Sequence, residues 1–152
     1  MTDFIIREMQ DDDLSEVVSL VDEASEFAWN AKRILDSLNS PFDRCLLLCD
    51  GEAGGILAYA VLHLVLDESQ LLNIAVLKSQ QGQGLGSYFI QQLIAVAQRD
   101  NARLMLLEVR ATNRAAIRLY EKQGFIRNGV RKAYYPADSG REDAWLYSLS
   151  IS

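Results

Sequence analysis

An apolar run in this chain leads directly into a glycine-rich turn. Residues 71–76 are apolar except for Asn73, which is typical of a buried strand, and residues 81–86 carry a glycine at every second position. Glycines let the backbone approach a ligand closely and adopt conformations that a Cβ atom would forbid. Where a helix follows such a turn, its first N–H groups and the positive end of its dipole point to one place. The spacing therefore predicts an anion site, and a pyrophosphate is the anion that fits it best.

A helix is predicted directly after the turn, over residues 85–100. Within the turn, Gly84 and Gly86 are the positions where a side chain is expected to be tolerated least. The apolar side chains of the helix recur at helical spacing and give it one face to bury against a sheet; they are Leu85, Phe89, Ile90, Leu93, Ile94 and Ala97.

Two other interpretations of the turn are open. A short glycine run is also typical of a flexible turn without a ligand. A dinucleotide-binding fold is a sharper alternative, because Gly82, Gly84 and Ser87 have the spacing of its fingerprint and Glu108 lies near the position of its ribose-binding acid. Against it, the third position is a serine, a long segment precedes the motif, and too little chain follows for a second nucleotide-binding half.

The composition is that of one globular domain, expected over residues 1–152. The chain is 49% hydrophobic and 24% charged, with a formal net charge of −6. This balance disfavours a nucleic-acid partner and also serves solubility. The longest apolar stretch, residues 54–66, is too short to cross a membrane and contains His63, for which a packing role is favoured over a catalytic one. The first residues lack the basic segment of a secretory signal, so a cytoplasmic location without a membrane partner is expected.

The two cysteines are expected to be free thiols. Cys45 and Cys49 lie four residues apart on one predicted strand, so their Cα atoms should be ~13 Å apart. A disulfide needs a separation below about 7 Å. Neither thiol is near the glycine turn in sequence, so neither is predicted to act as a nucleophile.

The pattern of elements predicts an α/β fold with a mixed central sheet of about seven strands and helices on both faces. Asp12 or Asp13 is expected to cap the first helix and Asn30 the second, while Gly124 ends the last one. Turns are predicted at residues 50–54 and 137–140. The predicted order is strand 4–9, a helix with its apolar stripe at 14–21, helix 31–38, strands 44–49, 55–64 and 69–76, helix 85–100, strand 104–109, helix 113–123, and strands 125–134 and 142–149.

Glu108 is an ionisable residue in an otherwise apolar predicted strand. By strand alternation it shares a face with Leu104 and Leu106, where desolvation is expected to increase its affinity for a proton. Such a carboxylate is a candidate general base. The alternative is an exposed carboxylate at the strand end, paired with Arg103 or Arg110.

Asn113 and Tyr120 lie seven residues apart on the next predicted helix, within about 20° of one another around its axis. Both can therefore face one cleft, where the phenol of Tyr120 could donate a proton to a leaving group. The alternatives are a core aromatic residue for Tyr120 and a helix cap for Asn113. Tyr134, Tyr135 and Arg141 flank the final predicted hairpin and could either line a peptide groove or stabilise the turn.

These elements, with the turn Gln81-x-x-Gly84-x-Gly86, resemble the GCN5-related N-acetyltransferase (GNAT) superfamily and, within it, the bacterial RimI family of ribosomal-protein-alanine N-acetyltransferases. The resemblance covers roughly residues 66–149. It rests on Leu71-x-Asn73-Ile74-Ala75-Val76, Leu107-Glu108-Val109-Arg110-Ala111-x-Asn113, Ala115-Ala116-Ile117-x-Leu119-Tyr120-Glu121, Gly124-Phe125, Tyr134-Tyr135-Pro136 and Gly140-Arg141-Glu142-Asp143-Ala144.

The resemblance implies transfer of an acetyl group from acetyl-CoA to the N-terminal α-amino group of a protein, for this family the N-terminal alanine of a small-subunit ribosomal protein. No metal is expected. The resemblance assigns Glu108 as general base and Tyr120 as general acid, and Tyr134 and Arg141 are the candidate acceptor-binding residues. The implied cofactor-binding residues are Ile74, Ala75 and Val76 for the pantetheine arm, Gly82, Gln83, Gly84, Leu85, Gly86 and Ser87 for the pyrophosphate, and Asn113.

The turn departs in one respect from the family pattern, in which it usually carries a basic residue. This chain has Gln81 and Gly82 there, and Lys78, Arg114 or Arg118 could offset the missing charge. Direct attack of the amine on the thioester is the expected mechanism, with the oxyanion met by a strand N–H, that of Val76.

Two further functions remain open at the level of sequence. One is acetylation of a small amine or a lysine side chain on the same scaffold, since one fold serves many acceptors. The other is a noncatalytic acyl-CoA-binding or partner-binding module, against which the presence of both Glu108 and Tyr120 argues.

Overall fold

The computed structural model describes residues 3–25, 28–137 and 140–152. They form a seven-stranded mixed sheet with helices on both faces, in the predicted order of elements. The strands are β1 (Phe4–Glu8), β2 (Asp43–Asp50), β3 (Ile56–Val65), β4 (Glu68–Val76), β5 (Leu104–Arg110), β6 (Ile126–Ala137) and β7 (Gly140–Ser150), and the helices are α1 (Leu14–Ala24), α2 (Ala31–Leu38), α3 (Leu85–Arg99) and α4 (Arg114–Lys122).

The strands follow the spatial order β1-β2-β3-β4-β5-β7-β6. All neighbours are antiparallel except β4 and β5, which run parallel and pair only as far as Leu71 and Leu107. A bulge in β4 at Leu72, opposite the step from Val61 to Leu62, turns the strand just beyond that last pair. The carboxyl ends of β4 and β5 therefore separate in the middle of the sheet.

Each face of the sheet has its own apolar core. Helices α3 and α4 cover one face with residues such as Phe89 and Ile117, and α1 and α2 cover the other with Val17 and Ile34. On β5 the odd-numbered residues, among them Leu107, belong to the α3–α4 core. The even-numbered side chains of β5 therefore point to the α1–α2 face.

Local capping follows the sequence at one helix and departs from it at another. Asn30 accepts a hydrogen bond from the Arg33 N–H at 2.9 Å, as predicted for the start of α2. Asp13 occupies the N-cap position of α1, as predicted, but its side chain makes no cap bond to this helix, because its carboxylate accepts from the Gln10 N–H at 2.8 Å and pairs with Arg7 at 2.8 Å. Instead, a 3-10 turn (Asp11–Asp13) precedes the helix.

Cys45 and Cys49 are free and buried on β2, as predicted. His63 pairs with Asp43 on the neighbouring strand, where the carboxylate oxygen lies 2.6 Å from the imidazole Nδ1. The turn predicted at residues 137–140 includes two positions, 138 and 139, that lie outside the described residues.

Within the described ranges, every helix is too short or too polar to cross a membrane.

Candidate active site

The separation of β4 and β5 opens a cleft of about 1050 Å³ through the sheet. Its walls come from the ends of both strands, from the glycine turn and α4, from the segment between α1 and α2, and from the aromatic residues of β6. Of the site residues predicted from sequence, those that line it are Ile74, Ala75, Val76, Gly82, Gly84, Gly86, Ser87, Glu108, Asn113, Tyr120 and Tyr134.

The edge of β4 turns backbone groups towards the cleft, and of these the Val76 carbonyl accepts from Gln81 Nε2. The Leu77 N–H bonds the Leu57 carbonyl at 2.8 Å, so that edge of residue 77 faces β3. Because backbone groups alternate along a strand, the N–H and C=O groups of Ile74 and Val76 face the side from which β5 has departed. An extended ligand can pair with this edge as a further strand would.

The glycine turn adopts a conformation suited to an anion. Gly84 has φ +83° and stands directly before α3, and the Tyr88 N–H makes the first bond of the helix, to the Gly84 carbonyl at 3.1 Å. The N–H groups of the preceding turn therefore have no partner within the helix. A Cβ atom on Gly86 would lie 3.2 Å from Leu119 of α4, so this glycine allows the two helices to approach.

The end of the cleft formed by the glycine turn carries no side-chain charge among the described residues that line it. Gln81 donates from Nε2 to the Val76 carbonyl at 3.0 Å and so braces the turn against β4. Lys78, Arg114 and Arg118 are exposed and lie outside the cleft lining. The groups that this turn offers to an anion are therefore backbone N–H groups and the helix dipole.

Glu108 points to the α1–α2 face of the sheet and is the one carboxylate among the described residues that line the cleft. Its side chain is 21% exposed, and Oε1 lies 3.3 Å from Nε of Arg131 on β6. The sequence suggested Arg103 or Arg110 as an alternative partner, but Arg110 pairs with Glu142 at 2.8 Å.

Tyr120 approaches the cleft from the opposite face. Its ring lies in the α3–α4 core with an edge contact to Phe125, at 5.9 Å between ring centroids. Burial raises the pKa of Tyr120 well above its usual value of 10. The phenol therefore keeps its proton at neutral and moderately alkaline pH, as a general acid must.

Asn113 combines the two roles considered for it at the sequence level. Its Oδ1 accepts from the Ala116 N–H at 3.2 Å and caps α4, and the residue also lines the cleft. The cap fixes the start of α4, which carries Tyr120.

Three predicted site residues lie outside the described cleft lining. Gln83 is exposed, and Leu85 is buried as the first apolar residue of α3. Arg141 donates to the carbonyl oxygens of Ala133 and Tyr134 at 2.8 and 3.0 Å, across an irregular stretch of the β6–β7 pair. These contacts agree with the alternative in which Arg141 stabilises the hairpin. Arg141 therefore contacts the backbone of Tyr134.

Two further polar residues, Arg131 beside Glu108 and Asn73 in the cleft wall, have no role that the sequence alone indicates. Arg131 could not be found from β5 alone, because β6 joins Glu108 only through tertiary pairing. Asn73 is a polar residue inside an apolar strand, which is the same signal that identifies Glu108.

This fold and site define an acetyltransferase: residues 6–125 match the Acetyltransferase (GNAT) family, and the chain belongs to that family. Among its relatives, the [ribosomal protein bS18]-alanine N-acetyltransferase of Escherichia coli K12 is 36% identical over 147 residues, covering 97% of both chains. The Haemophilus influenzae enzyme of the same name is 41% identical over 107 residues, covering 70% of this chain and 73% of its own. The crystal structure of the Escherichia coli ribosomal-protein-S18-alanine N-acetyltransferase superposes with a TM-score of 0.89 at 35% identity, covering 99% of this chain and 95% of that one.

Proposed function

We propose that this protein transfers the acetyl group of acetyl-CoA to the N-terminal α-amino group of a protein, with the N-terminal alanine of ribosomal protein bS18 as its acceptor. The observation that carries the proposal is the cleft between β4 and β5, which places Glu108 and Tyr120 on opposite faces of the sheet in a chain 36% identical to an enzyme of that name.

Acetyl-CoA is proposed to enter from the α3–α4 face. The turn from Gly82 to Ser87 offers backbone N–H groups for the pyrophosphate, and the open edge of Ile74 and Val76 offers strand pairing for the pantetheine arm. Asn113 lines the same end of the cleft.

The acceptor is proposed to enter from the α1–α2 face, where Glu108 lies. An α-amino group has a pKa near 7.7–8.0, so most of it is protonated at neutral pH and must lose a proton before it attacks. Glu108 accepts that proton, directly or through one water. The amine nitrogen bonds to the thioester carbon, the Val76 N–H stabilises the oxyanion, and the C–S bond then breaks as Tyr120 protonates the thiolate of coenzyme A.

The proposal is tested by incubating the protein and acetyl-CoA with three acceptors: a peptide with the N-terminus of bS18, free lysine and a polyamine. A mass gain of one acetyl on the α-amine of the alanine peptide, with at least tenfold higher kcat/KM than for the other two, supports it. Equal or greater activity on lysine or the polyamine favours acetylation of a different amine. Binding of acetyl-CoA without release of coenzyme A for any acceptor favours a noncatalytic module.

A further inference from the structure

Arg131 of β6 is the cation that contacts the carboxylate of Glu108 in the cleft. Its Nε lies 3.3 Å from Oε1 of Glu108, and the carboxylate side chain is only 21% exposed. Within the part of the chain that the structure describes, the Glu108 side chain has no other ion-pair or hydrogen-bond partner. One oxygen is therefore turned to Arg131, and Oε2 is left for a ligand in the cleft.

The contact reaches across a whole strand. Strands β5 and β6 both pair with β7, so they lie about 10 Å apart. In the row of Glu108, the residue opposite on β7 is Leu146 and the residue of β6 is Gly129, which has no side chain to offer. Arg131 stands in the next row of the same face, opposite Ala144. Because alanine is small, the long side chain of Arg131 can cross β7 at this point.

The guanidinium of Arg131 also faces an aromatic ring. Its Cζ lies 5.3 Å from the centroid of the Tyr134 ring, and Tyr134 lines the cleft beside Glu108. A cation over a tyrosine face is attracted by the ring. The other arginine near this corner, Arg110, pairs with Glu142 at 2.8 Å. Arg131 thus stands between the carboxylate and the ring, which defines its position although its side chain is 54% exposed.

A half-exposed ion pair of this kind contributes little to folding stability, because solvent screens the charges and two long side chains must be ordered. Its geometry has a larger consequence for catalysis. A proton acceptor must lie within hydrogen-bond reach of the amine, and a misplacement of about 1 Å can lower the rate by up to about 100-fold. A contact that orients Glu108 is therefore expected to affect the rate of turnover more than the stability.

We propose that Arg131 is a positioning residue, which holds Oε1 of Glu108 towards β6 and leaves Oε2 for the acceptor amine. This inference rests on the proposed function, in which Glu108 accepts the proton of the amine. Arg131 itself touches no reacting atom. Without it, the carboxylate rotates more freely, and in fewer of the enzyme–substrate complexes does it lie within reach of the amine.

The first test compares two substitutions of Arg131 with the alanine-initiated peptide as acceptor. We expect Arg131→Gln to lower kcat by about tenfold, with the wild-type KM for acetyl-CoA and the wild-type melting temperature. Arg131→Lys, which keeps a cation within reach of the carboxylate, should recover most of the wild-type kcat. Arg127→Gln is the matched control, since Arg127 lies on the same strand but stacks over Trp145, at 4.3 Å from its ring centroid. It should keep the wild-type kcat.

The second test asks whether Arg131 acts through Glu108. Single-turnover rates are measured for Glu108→Gln with and without Arg131→Gln, which completes a double-mutant cycle. Once the carboxylate is gone, Arg131→Gln should cause no further loss. A structural role predicts the same loss in both backgrounds and a lower melting temperature, and this result overturns the inference.

Two other results also overturn it. One is a wild-type kcat for Arg131→Gln, and the other is a higher kcat, which would mean that Arg131 competes with the acceptor for the carboxylate. Absence of acetyl transfer by the wild type to the peptide, lysine and the polyamine contradicts the proposed function itself.

Discussion

At the scale of single residues, the proposed chemistry uses two groups that reach the cleft from opposite faces of the sheet. Glu108 alternates with the buried residues of β5 and so points to the α1–α2 face, whereas Tyr120 belongs to the α3–α4 core. In the proposed mechanism, this arrangement separates proton removal from the acceptor and proton delivery to the leaving group.

Removing the carboxylate at Glu108 should stop proton acceptance without disturbing the cofactor site. We expect Glu108→Gln to bind acetyl-CoA with wild-type affinity and to lower kcat/KM by about 10²- to 10⁴-fold. Titration calorimetry and steady-state kinetics at neutral pH measure the two effects. Glu68→Gln, which changes an exposed carboxylate at the far end of β4, is the control. Wild-type turnover by Glu108→Gln would remove this residue from the mechanism.

Replacing the phenol at Tyr120 should slow turnover and alter the alkaline stability. We expect Tyr120→Phe to lower kcat by about 10- to 100-fold with little change in cofactor affinity. Burial raises the folded-state pKa of Tyr120 above its unfolded value of 10, so the neutral phenol favours folding below pH 10 and this contribution is lost as the pH rises further. The free energy of unfolding of the wild type should therefore fall relative to Tyr120→Phe above pH 10, and a constant difference up to pH 11 would contradict this.

At the scale of elements, short contacts hold the segments that carry the site. Glu142 of β7 accepts from the Thr112 hydroxyl at 2.6 Å and from Arg110 at 2.8 Å, and so fixes the connection between β5 and α4. On the other side of the cleft, Gly84 has a positive φ, which lets the glycine turn lead directly into α3. Each of these contacts supports a helix start that faces the cleft.

The Glu142 contact should stabilise the fold in a pH-dependent way. The Thr112 hydrogen bond and the Arg110 guanidinium lower the pKa of Glu142 below its usual 4.5, so its stabilisation is complete above pH 4.5 and is lost as the pH falls through the folded-state value. We expect Glu142→Gln to lower the free energy of unfolding by about 1–2 kcal/mol at pH 7 and by less at pH 4. Urea denaturation at both pH values measures this. Asp36→Asn, which breaks an exposed pair with Lys32, should cost less than about 0.5 kcal/mol, and a Glu142→Gln loss no larger than this would count against the contact.

Gly84→Ala should weaken acetyl-CoA binding beyond the effect of backbone strain. Both Gly84 and Gly51 have φ +83°, so an alanine at either position costs about 1 kcal/mol of folding free energy. Only Gly84 lines the cleft, where the added Cβ would also keep the pyrophosphate from the backbone. We expect a lower cofactor affinity for Gly84→Ala and wild-type affinity for Gly51→Ala, measured by calorimetry. Equal affinity of the two variants would place the pyrophosphate elsewhere.

At the scale of the whole molecule, the sheet separates the two proposed approach routes, which meet where β4 and β5 part. This topology favours direct transfer between two bound substrates. The buried thiols offer no alternative, because desolvation raises the pKa of Cys45 to about 12 and keeps it protonated at neutral pH.

A ternary mechanism should therefore leave no acetyl group on the enzyme. We expect intersecting lines in initial-velocity plots and no mass gain when the protein is incubated with acetyl-CoA alone. The variant with Cys45→Ala and Cys49→Ala should keep wild-type kcat. Parallel lines, or an acetylated protein without acceptor, would contradict direct transfer.

The sequence by itself determined the order of strands and helices, the glycine turn before α3 and the unusual position of Glu108, because these features depend on neighbouring residues and their periodicity. It predicted the cap at Asn30 but not the use of Asp13, whose carboxylate is taken by Arg7 from β1.

Only the tertiary structure decided where the two faces of the sheet open into one cleft. The early end of the β4–β5 pairing and the contact of Arg131 with Glu108 both depend on strands that are distant in sequence. Local periodicity gives the face of each strand, but the register between strands sets which side chains share a cleft, and that register is fixed by packing of the two cores.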